Sequence, residues 1–274
     1  MHSARFPSVL VACAAVVLWL LFPGALPAQC ALQWLPGGGL PGLGGPVLSV
    51  TSWDPDGAGP APARVVAGGN FSIAGNALAG SVAVWDPSTG MWSALGTGMN
   101  DNVTALAVLP NGDLVAGGLF TTAGGVAASR IARWDGSSWS ALGAGMNNAV
   151  QALAVLPNGD LVAGGLFTAA GGVAANRIAR WDGNSWSALG AGTNNAVQAL
   201  AVLPNGDLVA GGSFTAAGGV AANSIARWNG SSWSALGAGM NGGVFALAVL
   251  PNGDLVAGGG FTCLLYTSPS PRDS

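Results

Sequence analysis

The sequence lacks most of the side chains that catalyse reactions. It contains no lysine and no glutamate, its single histidine is His2 and its single tyrosine is Tyr266. Both lie outside residues 29–262, the repetitive body of the chain. General acid–base catalysis uses histidine most often, and a nucleophilic serine needs an adjacent base to activate it. We therefore expect this body to be non-enzymatic, with no catalytic residue and no cofactor.

Charge and metal ligands are scarce as well. The body carries six arginines against ten aspartates, a net charge of −4, so it offers no basic surface to a phosphate backbone and nucleic acid is not an expected partner. Its only cysteine is Cys30, which either pairs with a cysteine elsewhere or remains a free thiol. Asp54, Asp56 and the segment 100–102 space oxygen ligands as calcium loops do, but the other ligands are missing. No metal site is predicted.

Long hydrophobic runs are absent apart from one near the N-terminus. Residues 9–22 form an uninterrupted apolar run of 14 residues, shorter than the roughly 20 that span a bilayer as a helix. The run follows His2 and Arg5 and precedes a stretch that ends in Ala28. This order predicts a secretory signal peptide over 1–28 and favours it over a retained anchor. We expect a protein that is secreted, at the cell surface or periplasmic, without a membrane span after cleavage.

The last residues, 263–274, match nothing earlier in the chain. Cys263 to Asp273 resembles the in-frame translation of a sequencing adapter. Such segments are set aside in fold reasoning, so we expect 263–274 to be non-native and the natural protein to continue. The total number of repeats and any downstream domain therefore stay open.

The dominant feature of the body is a repeat. Residues 103–149, 150–196 and 197–243 are near-copies, each 47 residues long. Near-copies at a period of this length indicate a repeat architecture, in which each unit buries its apolar face against its neighbours.

One repeat, 150–196, shows what each unit contains. Four apolar runs, separated by turns rich in Gly, Asn, Asp and Pro, predict four antiparallel strands at 150–156, 161–167, 177–181 and 186–189. Four strands in 47 residues leave no room for a helix. The predicted fold class is therefore all-β, a β-propeller of four-stranded blades that is incomplete at the C-terminus.

The body also departs from the regular repeat in informative places. The first repeat differs only in its turns, being two residues longer between Trp85 and Trp92 and longer again over 53–64. Trp34 stands where a fourth-strand tryptophan belongs. We predict that 29–262 comprises an N-terminal closing strand, four blades and the start of a fifth. Ring closure through that strand would bury both sheet edges.

Each repeat carries a family resemblance. An apolar strand ending in Gly-Gly, as at 164–165, is followed by a Trp-Asp turn and a second Trp, and 82–95 is the closest stretch. This pattern resembles kelch-type propeller repeats and the bacterial delta-sixty propeller repeats of large secreted proteins. The resemblance implies the fold and a cell-surface habit. Some kelch propellers are copper enzymes that use Tyr, His and a cross-linked Cys; the body lacks the first two, so that activity does not carry over.

Paired tryptophans are the candidate ligand-binding residues. Four pairs flank the turn between the third and fourth strands: Trp85 and Trp92, Trp134 and Trp139, Trp181 and Trp186, and Trp228 and Trp233. They are either aromatic platforms on which sugar rings stack or cross-strand pairs that pack within the hairpin and against the next blade. We favour packing.

Asp and Arg recur together in three repeats. The aspartate that ends each Pro-Asn-Gly-Asp turn and the arginine that precedes the first tryptophan lie at facing ends of the second and third strands. We predict an ion pair within each blade between Asp113 and Arg133, Asp160 and Arg180, and Asp207 and Arg227. In the first repeat both are missing, with Arg64 near the Asp position and Val84 at the Arg position.

The residues together predict a binding protein. Carbohydrate or cell-surface protein is the expected partner of a non-enzymatic adhesion scaffold. The alternative is the scaffold part of a larger secreted enzyme whose catalytic residues lie beyond residue 262. Positions that vary between near-identical repeats, such as Gln198/Phe245 and Arg177/Ser224, are expected to be exposed.

Overall fold

The computed structural model describes residues 42–57 and 59–262. Over these ranges the chain forms 26 β-strands and no helix, so the described part offers no helical segment that could cross a membrane. The predicted signal peptide, Cys30, the closing strand at Trp34 and the segment 263–274 lie outside the described residues.

The strands recur in sets of six. The first repeat contains β1 (Val47–Trp53), β2 (Arg64–Gly69), β3 (Ile73–Ala74), β4 (Ala77–Leu78), β5 (Val82–Asp86) and β6 (Met91–Ala94). The second contains β7 (Val103–Val108), β8 (Leu114–Gly118), β9 (Thr122–Ala123), β10 (Val126–Ala127), β11 (Ile131–Trp134) and β12 (Trp139–Ala141). The third contains β13 (Val150–Val155), β14 (Leu161–Gly165), β15 (Ala169–Ala170), β16 (Val173–Ala174), β17 (Ile178–Trp181) and β18 (Trp186–Ala188).

The remaining strands continue the series. The fourth repeat contains β19 (Val197–Val202), β20 (Leu208–Gly212), β21 (Ala216–Ala217), β22 (Val220–Ala221), β23 (Ile225–Trp228) and β24 (Trp233–Ala235). The described part of the fifth contains β25 (Val244–Val249) and β26 (Leu255–Gly259).

Each complete repeat folds into one antiparallel sheet. The first repeat has the strand order β1-β2-β5-β6, and the next three repeats have the equivalent order. The two shortest strands, β3 and β4 in the first repeat, form a separate small hairpin between the second and third sheet strands. Four-stranded antiparallel sheets repeated along the chain are the blades of a β-propeller, which confirms the predicted fold class.

Neighbouring blades contact each other through their first strands. The glycine pair that ends each second strand allows the next blade to approach this closely. A Cβ atom added to Gly164 would lie 2.5 Å from Cγ1 of Val197 in the next blade, closer than non-bonded atoms approach. The same pairing recurs as Gly68 with Val103, Gly117 with Val150, and Gly211 with Val244. The first glycine of each pair is therefore required because the adjacent blade occupies the space of its side chain.

The hydrophobic core lies between blades rather than within them. Val115 and Ile131 of the second blade pack with Leu161 and Phe167 of the third, and all four are fully buried. Each blade thus completes part of its core on the blade that follows it.

Candidate functional site

The paired tryptophans face each other across their hairpins. Trp134 and Trp139 are register partners on β11 and β12, with ring centroids 5.4 Å apart and planes inclined by 51°. The pairs on the third and fourth blades repeat this geometry at 5.3 and 5.4 Å. Trp85 and Trp92 occupy the same register on the first blade. The predicted cross-strand pairing is thus present in all four blades.

In the second, third and fourth blades the second tryptophan of the pair also links two blades. Its indole N–H donates to a leucine carbonyl of the preceding blade, in the bonds from Trp139 to Leu95 (2.8 Å), from Trp186 to Leu142 (2.9 Å) and from Trp233 to Leu189 (2.9 Å). The sequence led us to expect packing against the next blade, so the direction was wrong.

Exposure divides the eight candidate stacking residues. Trp139, Trp186 and Trp233 are each 5 % exposed and Trp134 is 7 % exposed. Trp85, Trp92, Trp181 and Trp228 are half-buried. Sugar stacking on these hairpins stays a prediction, and it now concerns the half-buried indoles.

The predicted Asp–Arg pairs are confirmed in the second, third and fourth blades. Arg and Asp atoms lie 3.5, 3.5 and 3.4 Å apart in the pairs Arg133–Asp113, Arg180–Asp160 and Arg227–Asp207. The first blade has a pair as well, which the sequence did not reveal. Arg64 at the start of β2 lies 3.2 Å from Asp86 at the end of β5, so the two charges have exchanged strands.

The aspartate of each Trp-Asp turn is a structural cap. Asp135 accepts hydrogen bonds from the backbone N–H groups of Ser137 and Ser138 at 2.9 and 2.8 Å. These bonds, that from Ser138 above all, hold the pKa of Asp135 well below its ordinary value. In the fourth blade Asn229 replaces the aspartate and accepts the same two bonds, from Ser231 and Ser232. Because an amide accepts the same two bonds, this position requires an acceptor and not an ionisable group.

A second set of side chains, which sequence reasoning missed, holds the segment that joins one blade to the next. Asn100 accepts from the backbone N–H groups of Thr121 and Thr122 and donates to the Thr121 hydroxyl. Asn147 and Asn194 make equivalent bonds to the third and fourth blades. Asn100 is therefore committed to the fold and not a calcium ligand. No cluster of three metal-binding side chains occurs within the described ranges.

The residue before each third strand adopts a left-handed backbone conformation. Ser81, Arg130, Arg177 and Ser224 have φ between 60° and 66°, which is uncommon for residues other than glycine. Backbone hydrogen bonds fix this conformation. The N–H of Ser81 donates to the carbonyl of Phe71, and the carbonyl of Ser81 accepts from the N–H of Gly69. Ser224 is only 8 % exposed, whereas Phe245 is 54 % exposed. The expectation that varying positions are exposed is correct for Phe245 and wrong for Ser224.

Two cavities open beside these serines, at equivalent places in the molecule. Each measures about 370 Å³ and lies between the wall formed by one blade and the segment that leads into the next. Ser81 and the segment 99–102 line the first. Ser224 and the segment 240–243 line the second.

Stacked four-stranded blades joined through their inner strands define a β-propeller. Residues 58–205 match the family described as the Rax2 C-terminal beta propeller domain, and residues 203–231 match a beta-propeller domain of unknown function, DUF5122. The first match covers more than half of the chain, which therefore belongs to the family of the Rax2 C-terminal beta propeller domain. Neither description names the kelch type, so that finer resemblance stays a prediction. No curated protein matches the chain.

Proposed function

We propose that this protein is a secreted or cell-surface, non-enzymatic propeller that binds carbohydrate or protein as an adhesion scaffold. The observation that carries the proposal is the structural use of its charged groups. Asp113 pairs with Arg133, and Asp135 caps a turn that an asparagine caps in the fourth blade. Charged groups that hold the fold in this way favour a scaffold over an acid–base catalyst.

The arrangement of the loops supports binding. In the second, third and fourth blades the joining segment and the small hairpin lie side by side, because Asn100, Asn147 and Asn194 each accept a hydrogen bond from the start of a hairpin. Met99 also forms a backbone bridge to Ala123. One edge of the array therefore presents the same polar loops repeatedly on a rigid framework, which is how propellers and other repeat proteins build binding surfaces.

The location is proposed from the N-terminal sequence. A polar start, an apolar run over 9–22 and a stretch ending in Ala28 form a secretory signal.

The test uses the full chain with a C-terminal affinity tag. The mature protein should be recovered from the extracellular or surface fraction with its N-terminus near residue 29, and it should bind intact cells of its source. Treating the cells with periodate or with protease then identifies the bound class, because periodate destroys glycans and protease removes proteins. Recovery from the cytoplasm only, or absence of binding to treated and untreated cells alike, would contradict the proposal.

A further inference from the structure

The cavity beside Ser81 contains polar side chains without protein partners. The hydroxyl of Ser81 makes no hydrogen bond within the described residues, although the residue is only 7 % exposed. The side chains of Asn70, Ser72 and Asn102 line the same cavity, and over the described ranges they too form no hydrogen bond. The Ser81 hydroxyl is not among the buried unpartnered atoms, and Asn70 and Ser72 are exposed, so the donors and acceptors of these side chains are free to bond a ligand in the cavity.

A sequence difference explains why Ser72 lacks a partner. In the next three blades the equivalent threonines, Thr121, Thr168 and Thr215, accept a hydrogen bond from an asparagine side chain. In the first blade the corresponding position is Gly44, which has no side chain and itself lines the cavity. Because Gly44 has no side chain, the Ser72 hydroxyl has no equivalent of this asparagine hydrogen bond and faces the cavity.

The other residues that line this cavity limit the chemical class of a ligand that it can bind. Phe71 and Met99 supply an apolar floor and are 4 % and 6 % exposed. Asp101 is the one charged residue in the lining of this cavity. Its carboxylate accepts hydrogen bonds and disfavours anions. A neutral ring with C–H faces and several hydroxyl groups, a sugar, satisfies the floor and the unpartnered groups together.

The middle blades carry different side chains at the equivalent positions. Arg130 and Arg177 adopt the same left-handed conformation as Ser81 and are half-buried. Leu119 and Leu166, 40 % and 39 % exposed, stand where the first blade has Asn70. The blades are otherwise near-copies, so the polar lining is a local property of the first and fourth blades.

We infer that the cavities beside Ser81 and Ser224 are two carbohydrate subsites, each taking one neutral sugar ring, and that arginine blocks this position in the two middle blades. The inference rests on the proposed function and assigns its ligand class and place. Ser224 is the weaker half of the pair because Ser213, also in its lining, already donates to Gln198. The first cavity therefore contributes more of the affinity.

The test is saturation-transfer NMR on the full chain with methyl glycosides of glucose, galactose, mannose and N-acetylglucosamine at millimolar concentration. At least one glycoside is expected to receive saturation. The double variant Ser81→Arg with Ser224→Arg carries the side chain that the middle blades tolerate with φ near 65°. It should weaken binding by about tenfold or more, since it both blocks the space and removes the hydroxyls. Ser81→Ala with Ser224→Ala removes the hydroxyls alone and should weaken binding by a smaller factor.

The matched control is Ser52→Arg with Ser93→Arg, which adds the same two charges at exposed positions outside both cavities. It should bind as the unmodified chain does. Equal binding by the Ser81→Arg/Ser224→Arg chain would overturn the cavity assignment while leaving a carbohydrate-binding function intact. No transfer to any glycoside by a chain that still binds protease-sensitive sites on cells would overturn the sugar subsites and leave a protein-binding scaffold. Loss of both kinds of binding would overturn the subsites and the proposed function.

Discussion

The indole N–H of Trp139 donates a 2.8 Å hydrogen bond to the backbone carbonyl of Leu95 in the preceding blade. The same bond recurs at the next two junctions, and each time the donating ring is nearly buried. Trp139, which the sequence offers as a candidate ligand-binding residue, thus joins two neighbouring blades.

Trp186→Phe should destabilise the protein by about 1–3 kcal/mol, because the carbonyl of Leu142 loses its donor in a buried environment. Trp181→Phe changes the half-buried partner in the same hairpin, which makes no such bond among the described residues, and it should cost less. Urea unfolding of both variants measures the difference. Equal losses would show that ring volume matters here and the hydrogen bond does not.

Gly164→Ala should destabilise by about 1–3 kcal/mol or more, because the new Cβ would meet Val197 at 2.5 Å. The matched control is Gly258→Ala, at the same position of the fifth repeat, where the nearest atom to an added Cβ is Ala246 Cβ at 3.9 Å. Thermal unfolding should separate the two variants. A Gly258→Ala loss as large as that of Gly164→Ala would contradict the steric explanation.

Acid should destabilise the protein through the Trp-Asp turns. The backbone N–H of Ser138 and that of Ser185 are the main reasons why the pKa of Asp135 and that of Asp182 are lowered in the folded state. The unfolded chain therefore binds more protons at low pH, and the stabilisation is present above about pH 4 and lost as the pH falls toward the folded pKa.

The variant Asp135→Asn with Asp182→Asn tests this acid dependence. Asn229 shows that an asparagine keeps both backbone bonds, so the variant should remain folded. Melting temperatures recorded from about pH 5 to about pH 2 should fall less steeply than those of the unmodified chain. An unchanged slope would place the acid sensitivity elsewhere.

The Arg133–Asp113 pair should contribute little despite its recurrence. The arginine side chain is 42 % exposed, and exposed pairs contribute about 0–1 kcal/mol. A double-mutant cycle with Arg133→Met and Asp113→Asn should give a coupling energy in that range that shrinks as salt is added. A coupling well above it would mean that the pair orders the two strands.

The sequence of a single repeat predicted the strands of the main sheet correctly. Strands expected at 161–167 and 186–189 are Leu161–Gly165 and Trp186–Ala188 in the structure, because apolar runs between turn residues indicate strands directly. The small hairpin formed by Ala169–Ala170 and Val173–Ala174 was not predicted. Its strands are two residues long, too short for any periodic signal.

The candidate site was harder to anticipate. Ser224 belongs to a varying position and was expected at the surface, yet the structure buries it. The backbone carbonyl of the preceding residue, Asn223, accepts a hydrogen bond from the backbone N–H of Met240, which lies in the segment that leads to the fifth repeat. Burial of this kind depends on a contact between residues far apart in the chain, which a local pattern does not encode.

The sequence by itself determined the repeat, the four strands of each blade and the Asp–Arg pairs of the second, third and fourth blades, since all of these follow from local spacing and from facing ends of adjacent strands. The tertiary structure decided which blade each tryptophan binds, why Gly164 must be glycine and where the cavities beside Ser81 and Ser224 open. These features arise only where two blades meet, because each blade completes its core and its polar contacts on its neighbour.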